Sequence, residues 1–154
     1  MIKTIFDVLN SKKLTISVAE SITGGALSKQ LMSLAGSSIF FKGSVVAYSD
    51  ESKIEILKIE KEKIRKYSAV SQQISALMAS NVKNLFKSDI GFSTTGNAGP
   101  GLNDGKSSLG ELYISFHCKG ETNTKFFKLE GDREANINRA VRVSLDFILQ
   151  NLNE

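Results

Sequence analysis

The sequence predicts an α/β domain, a three-layer α/β/α sandwich whose mixed sheet includes one antiparallel hairpin. Three observations carry that prediction. Segments with helical spacing interleave with short strand-like segments through most of the chain. Two alternating runs, "ELYISFHC" and "TKFFKLEG", stand back to back across a turn at Gly120. The chain of 154 residues, 41% hydrophobic and 23% charged, suits one domain with a real core. We therefore read 1–154 as a single domain.

The elements follow in order. Ile2, Ile5, Phe6 and Leu9 recur at three- and four-residue spacing, which predicts a short amphipathic helix. Leu14, Ile16 and Val18 alternate and predict a strand over 14–19. From Gly24 the stripe Leu27, Leu31, Leu34 predicts a helix. "GSVVAYS", 43–49, reads as a strand, followed by a helical stretch over 50–57. A longer helix is expected from Ser71, its N-cap, to Lys87, with Ile74, Leu77, Met78, Val82 and Leu85 inward. "IGFSTTG" is a strand, the hairpin comes next, and Ile137, Val141, Leu145, Ile148 and Leu152 predict a closing helix. Phe40 and Phe41 in "SSIFF" read either as core at a strand start or as part of an exposed interface.

Composition narrows the function classes. No apolar run approaches the ~20 residues of a membrane span, and "MIKTIFDVLNSKKLT" interrupts any signal-peptide pattern with Asp7 and Asn10. A cytoplasmic protein with no membrane partner is expected. Cys118 is the only cysteine, which leaves no disulfide and no multi-cysteine metal site. The net charge of +4 invites nucleic acid as a partner, but "KIEKEKIRK" alternates Glu60 and Glu62 with its basic residues as a solvated face does. Zinc-finger spacing and aromatic ribonucleoprotein motifs are missing too, so the sequence argues against nucleic acid. A small anionic substrate accounts for the positive balance equally well.

"GPGLNDGKSS", 99–108, looks like a phosphate-binding loop and fails as one. The position that should hold its first glycine is Pro100. The residues after Lys106 have the period of a strand, so no helix N-terminus would face a phosphate. A surface connection or a functional loop remains.

"SVAESITGG", 17–25, is the better candidate site. A strand ends there and a helix begins, the place where α/β sheets bind ligands. Ser21 lies in that turn, either as a helix cap or as a nucleophile favoured by free amides. A nucleophile needs a base. His117, the sole histidine, sits in mid-strand with nothing local to orient it, so it reads as a strand residue. Lys53 follows a second strand end and is either an exposed helix lysine or the base. To serve near neutral pH its pKa must fall from ~10.4 by roughly two to three units, through burial or a neighbouring cation such as Arg133.

Taken together, "SVAESITGG", "AGSSIFFKGSVVAYSDESK", "AVSQQISALMA", "DIGFSTTGNAGP", "LGELYISF" and "GDRE" resemble the CinA C-terminal domain family in that family's order. They span nearly the whole chain. The characterised members of that family are nicotinamide-nucleotide amidases. The resemblance implies hydrolysis of nicotinamide mononucleotide to nicotinate mononucleotide and ammonia, in pyridine nucleotide salvage, with no metal or organic cofactor. It implies Ser21 as nucleophile, Lys53 as its activator, Tyr48 close by to relay or position a proton, and Thr95 as a holder of amide or nucleophile. Arg133 would take the substrate phosphate, and the amides around Thr23, Gly24 and Gly25 would serve the oxyanion or the phosphate. A homodimer is implied as well. The sequence departs from the family pattern at Ile22, in the loop around Asn97 and at Ile137; the altered loop and Ile137 point to the alternative, a catalytically weak or inactive nucleotide-binding module.

Overall fold

A computed structural model describes residues 1–101 and 106–154. Its elements are α1 (Ile2–Lys12), β1 (Ile16–Glu20), α2 (Ala26–Leu31), a 3-10 turn (Ser37–Ile39), β2 (Phe41–Val46), α3 (Asp50–Glu55), α4 (Lys61–Tyr67), α5 (Gln72–Phe86), β3 (Ile90–Gly96), β4 (Glu111–Cys118), β5 (Glu121–Lys128) and α6 (Arg133–Leu152). The described strands form one five-stranded sheet in the order β2-β1-β3-β4-β5. Strands β2, β1 and β3 are parallel, while β4 runs antiparallel to β3 and β5 to β4. The α/β/α sandwich with its hairpin is therefore what the chain forms.

Each connection has a local cause. The hairpin closes on Lys119 and Gly120, at φ 51° and 82°, the left-handed pair that matches the strands' twist. All five residues of β1 are buried, because neighbours flank both its edges and helices cover both its faces. On one face α1, α2 and α6 pack Ile5, Leu9, Leu27, Leu31, Leu145 and Ile148 against Val18, Phe92 and Ile114. On the other face α3, α4 and α5 enclose a second cluster around Ala19, Leu57, Ile74 and Met78.

Helix α5 sits close on the sheet because the strands beneath it carry small residues. A Cβ on Gly91 would lie 1.9 Å from the carbonyl oxygen of Ala79. Hydroxyls fill the remaining polar contacts: Ser75 meets Ser93 at 3.1 Å and Ser115 at 2.7 Å, and Ser115 meets Thr124 at 2.8 Å. Ser71 caps α5 by accepting from the Ile74 amide. Ser49 caps α3 in a reciprocal box with Ser52.

Three local expectations are corrected. The second helix stops at Leu31, short of the Leu34 stripe, because Ser33 bonds back to Gln30 and Gly36 turns the chain at φ 88°. The second strand starts two residues earlier than predicted and ends at Val46. Leu85 is 49% exposed, and Phe86 turns inward instead, its ring lying over Gly43. The "SSIFF" run resolves in favour of core for Phe40, which is buried and meets the Phe6 ring edge-on at 5.5 Å. Charges on α4 are solvated as expected, with Glu60 near Lys63 and Glu62 near Arg65 at its surface. No helix among the described residues is long and apolar enough to cross a membrane.

Candidate functional site

The three parallel strands end side by side, and the side chains just beyond them converge. The Ser21 amide donates to Thr94 O at 2.9 Å, which ties the residue after β1 to β3. The Ala47 amide donates to Glu20 O at 2.8 Å, which ties the end of β2 to β1. Strand alternation turns Glu20 toward α2 and Ser21 toward the α3–α5 face. Capped by Ser49, α3 then brings Lys53 under that face.

Lys53 is 2% exposed, so it is no surface lysine. Its Nζ donates to Ser21 Oγ at 3.3 Å and to Ala47 O at 2.7 Å. Burial pushes its pKa from the ordinary 10.5 down to about 8, with the Asp50 carboxylate opposing. Arg133 has no part in that shift: it lies at the start of α6 on the outer side of the cleft and is itself exposed. The arrangement has the three parts of an activated nucleophile: hydroxyl, amine, and the carbonyl of Ala47 to orient the amine.

A cleft of about 300 Å³ opens above Ser21, lined among others by Ile22, Tyr48, Gly96, Gly99 and Arg133. This is the lower end of the ~300–1,000 Å³ range of ligand sites. Arg133 spans its mouth, donating from Nη1 to Gly99 O at 2.7 Å and from Nη2 to the Tyr48 hydroxyl at 3.2 Å. Tyr48 is thus engaged with Arg133 rather than with Ser21 or Lys53. Thr95 stands beside Ser21 on the adjacent strand, but its hydroxyl donates to Ala69 O at 2.7 Å. That leaves only its oxygen lone pairs to face a ligand.

Of the amides expected to serve the oxyanion or the phosphate, those of Gly24 and Gly25 are engaged within the turn that leads into α2. Gly25 donates to Glu20 Oε1 at 3.1 Å, and Gly24 to Ser21 O at 3.1 Å. Neither faces a ligand. The Thr23 hydroxyl is spent on Thr94, 2.7 Å away. His117 hydrogen-bonds Thr122 at 2.6 Å and pairs with Gly91, near the far end of β3 from Thr95, so it stays out of the site.

Two residues that the sequence reading did not single out support the cleft. Glu20, fully buried, accepts from Gly25, Leu27 and Ser28 amides and from the Ser28 hydroxyl. Asn136, on the second turn of α6, donates to Ala98 O at 3.0 Å and Gly131 O at 2.9 Å, and accepts from the Gly131 amide. It fixes one side of the loop over the cleft. Asn97 fixes the other, donating to Ser107 Oγ and to Ser108 O. Strand β4 comes after this loop, where a phosphate-loop protein would have a helix. Gly105, the glycine of its Gly-Lys pair, lies outside the described residues. Lys106 bonds the Arg65 carbonyl. Among the described residues no three His, Cys, Asp or Glu side chains cluster to hold a metal ion.

Comparison with known proteins places this geometry. The family profile described as the CinA C-terminal domain matches residues 1–152. A CinA-like protein of Dictyoglomus thermophilum is 42% identical over 150 residues, which are 97% of this chain and 36% of that protein. A CinA-like protein of Flavobacterium psychrophilum is 40% identical over 145 residues, 94% of this chain and 35% of that one. The chain therefore spans about a third of the length of the curated relatives it matches. The crystal structure of competence damage-inducible protein A from Klebsiella pneumoniae superposes with a TM-score of 0.95 at 29% identity, covering 99% of this chain and 95% of that chain.

Proposed function

The chain belongs to the CinA C-terminal domain family, and from that premise we propose that it is a nicotinamide-nucleotide amidohydrolase working through Ser21 and Lys53. The observation that carries the reading is the buried Lys53 amine, within hydrogen-bond reach of Ser21 Oγ and held from behind by Ala47 O. Only a neutral amine can take a proton, and burial, by lowering the pKa to about 8, is what gives this one a working neutral fraction near physiological pH.

The reaction runs in two halves. Ser21 Oγ attacks the carboxamide carbon while its proton passes to Lys53 Nζ. The tetrahedral oxyanion collapses, the C–N bond breaks, and Lys53 returns the proton to the departing nitrogen, which leaves as ammonia. Water then attacks the Ser21 ester with Lys53 again as base, releasing nicotinate mononucleotide. Arg133 exchanges Gly99 O and the Tyr48 hydroxyl for two phosphate oxygens, a pairing for which its planar fork is suited. Tyr48 positions Arg133 and does not carry protons. Thr95 offers an oxygen lone pair to the amide nitrogen. The reading includes a cytoplasmic setting and a homodimer, the latter checked by light scattering in solution.

Ammonia release from nicotinamide mononucleotide, by this chain and by Ser21→Ala, is the direct test. Release by the parent and none above background by the variant supports the reading. A thermal shift with the nucleotide but no ammonia would replace it with the nucleotide-binding module.

A further inference from the structure

We infer that Glu20 is a positioning residue, one that commits the amides of Ile22 and Thr23 as the oxyanion donors of the Ser21 reaction. The inference rests on the amidase reading and goes beyond it. Every backbone amide from Ser21 to Ser28 has an assigned acceptor except two. Ser21 donates to Thr94 O, Gly24 to Ser21 O and Ala26 to Thr23 O. Gly25, Leu27 and Ser28 donate to the Glu20 carboxylate at 3.1, 2.9 and 3.0 Å. Ile22 and Thr23 donate to no acceptor among the described residues. The two residues are 6% and 2% exposed, Ile22 lines the cleft with Ser21, and backbone amides in such surroundings ordinarily have a partner.

The carboxylate explains why these two are left. Strand alternation sends Glu20 to the sheet face opposite Ser21, where it grips the first turn of α2 from beneath. With α2 held there, the chain between Glu20 and Gly25 has one tight path, and the two amides after the nucleophile stay out of the helix ladder. Fixed donors that need no reorganisation are what a developing oxyanion requires. The carboxylate lies on the other face of the sheet, where three amides and the Ser28 hydroxyl donate to it.

The test is Glu20→Gln, which keeps the shape but turns an NH2 group toward donors that need an acceptor. Turnover of nicotinamide mononucleotide and the rate at which a fluorophosphonate labels Ser21 are measured together. In labelling, an Oγ–P bond forms, fluoride leaves, and the proton goes to Lys53. We expect kcat and the labelling rate to fall about 10- to 100-fold, with KM within about threefold of the parent. Val82→Ala, which opens the α5 core near Ser17 at the start of β1, controls for lost stability and should keep kcat. Should Glu20→Gln fail to fold, replacing the Ile22 amide by an ester deletes that donor alone and should give the same fall. Parent-like kcat and labelling in either folded variant overturns the inference while leaving the amidase reading intact. A parent chain that neither turns over the nucleotide nor labels at Ser21 overturns both.

Discussion

The rate of a reaction that uses Lys53 as base must track the titration of that amine. Its pKa is held near 8 instead of 10.5, a difference of about 3 kcal/mol between the two protonation states. At pH 7 the neutral fraction is then about 9%, against about 0.03% for an unperturbed lysine, a gain of roughly 300-fold in working base. Measured between pH 6 and 10, log kcat/KM should climb with unit slope and level off above about pH 8. Asp50→Asn removes the charge that opposes the shift, so it should move the break to lower pH. Stability carries the same signature with a definite sign. Between about 8 and 10.5 the unfolded chain binds the extra proton, so the folded state gains stability as pH rises through that window. Below it the cost of burying the ammonium is fully present. Lys53→Met should therefore be the more stable chain at pH 7, by up to about 3 kcal/mol, with the advantage shrinking toward pH 10.5. A flat rate profile, or one whose midpoint stays near 10.5, would refute the assignment of Lys53 as a buried base.

Contacts at and around the cleft set the other expectations. Arg133→Ala removes the fork that spans Gly99 and Tyr48, so KM should rise about 10- to 100-fold, the value of one or two charge-assisted hydrogen bonds, while kcat changes little; steady-state kinetics read both. Gly91→Ala drives a methyl into the Ala79 carbonyl and should lower stability by about 1–3 kcal/mol or more in urea titration. Asn136→Ala strands the Ala98 and Gly131 carbonyls and the Gly131 amide; it should lower stability by about 1–3 kcal/mol and raise KM, since the loop it anchors lines the cleft.

How much of this was legible in the sequence depends on how local each cause is. The strand-turn-helix at Ser21, the Ser71 cap and the hairpin are set by neighbours within a few residues, and their patterns read directly. The extent of α2 did not, because two serines and Gly36 outcompete the leucine stripe for the backbone. Leu85 and Phe86 are adjacent apolar residues, and only the shape of β2 at Gly43 decides which of them turns inward. Glu20 was the costliest omission. A carboxylate at a strand end ordinarily faces water, and only the folding of α2 back over β1 surrounds it with donors. Its signal in the sequence was an acidic residue just before a Gly-Gly helix start, which is readable as a cap from outside the helix. The partners of Thr95 and Tyr48 come from segments 26 and 85 residues away, so their spacing in the chain carried no information about them.

The central claim is that Ser21 forms a covalent acyl intermediate with Lys53 as its base. Rapid acid quench of excess enzyme with nicotinamide mononucleotide, then peptide mass spectrometry, tests it most directly, with Ser21→Ala run in parallel. The account predicts the substrate's acyl group, less ammonia, on the peptide that contains Ser21, and no nicotinate mononucleotide from the variant. Equal product from parent and Ser21→Ala would contradict it.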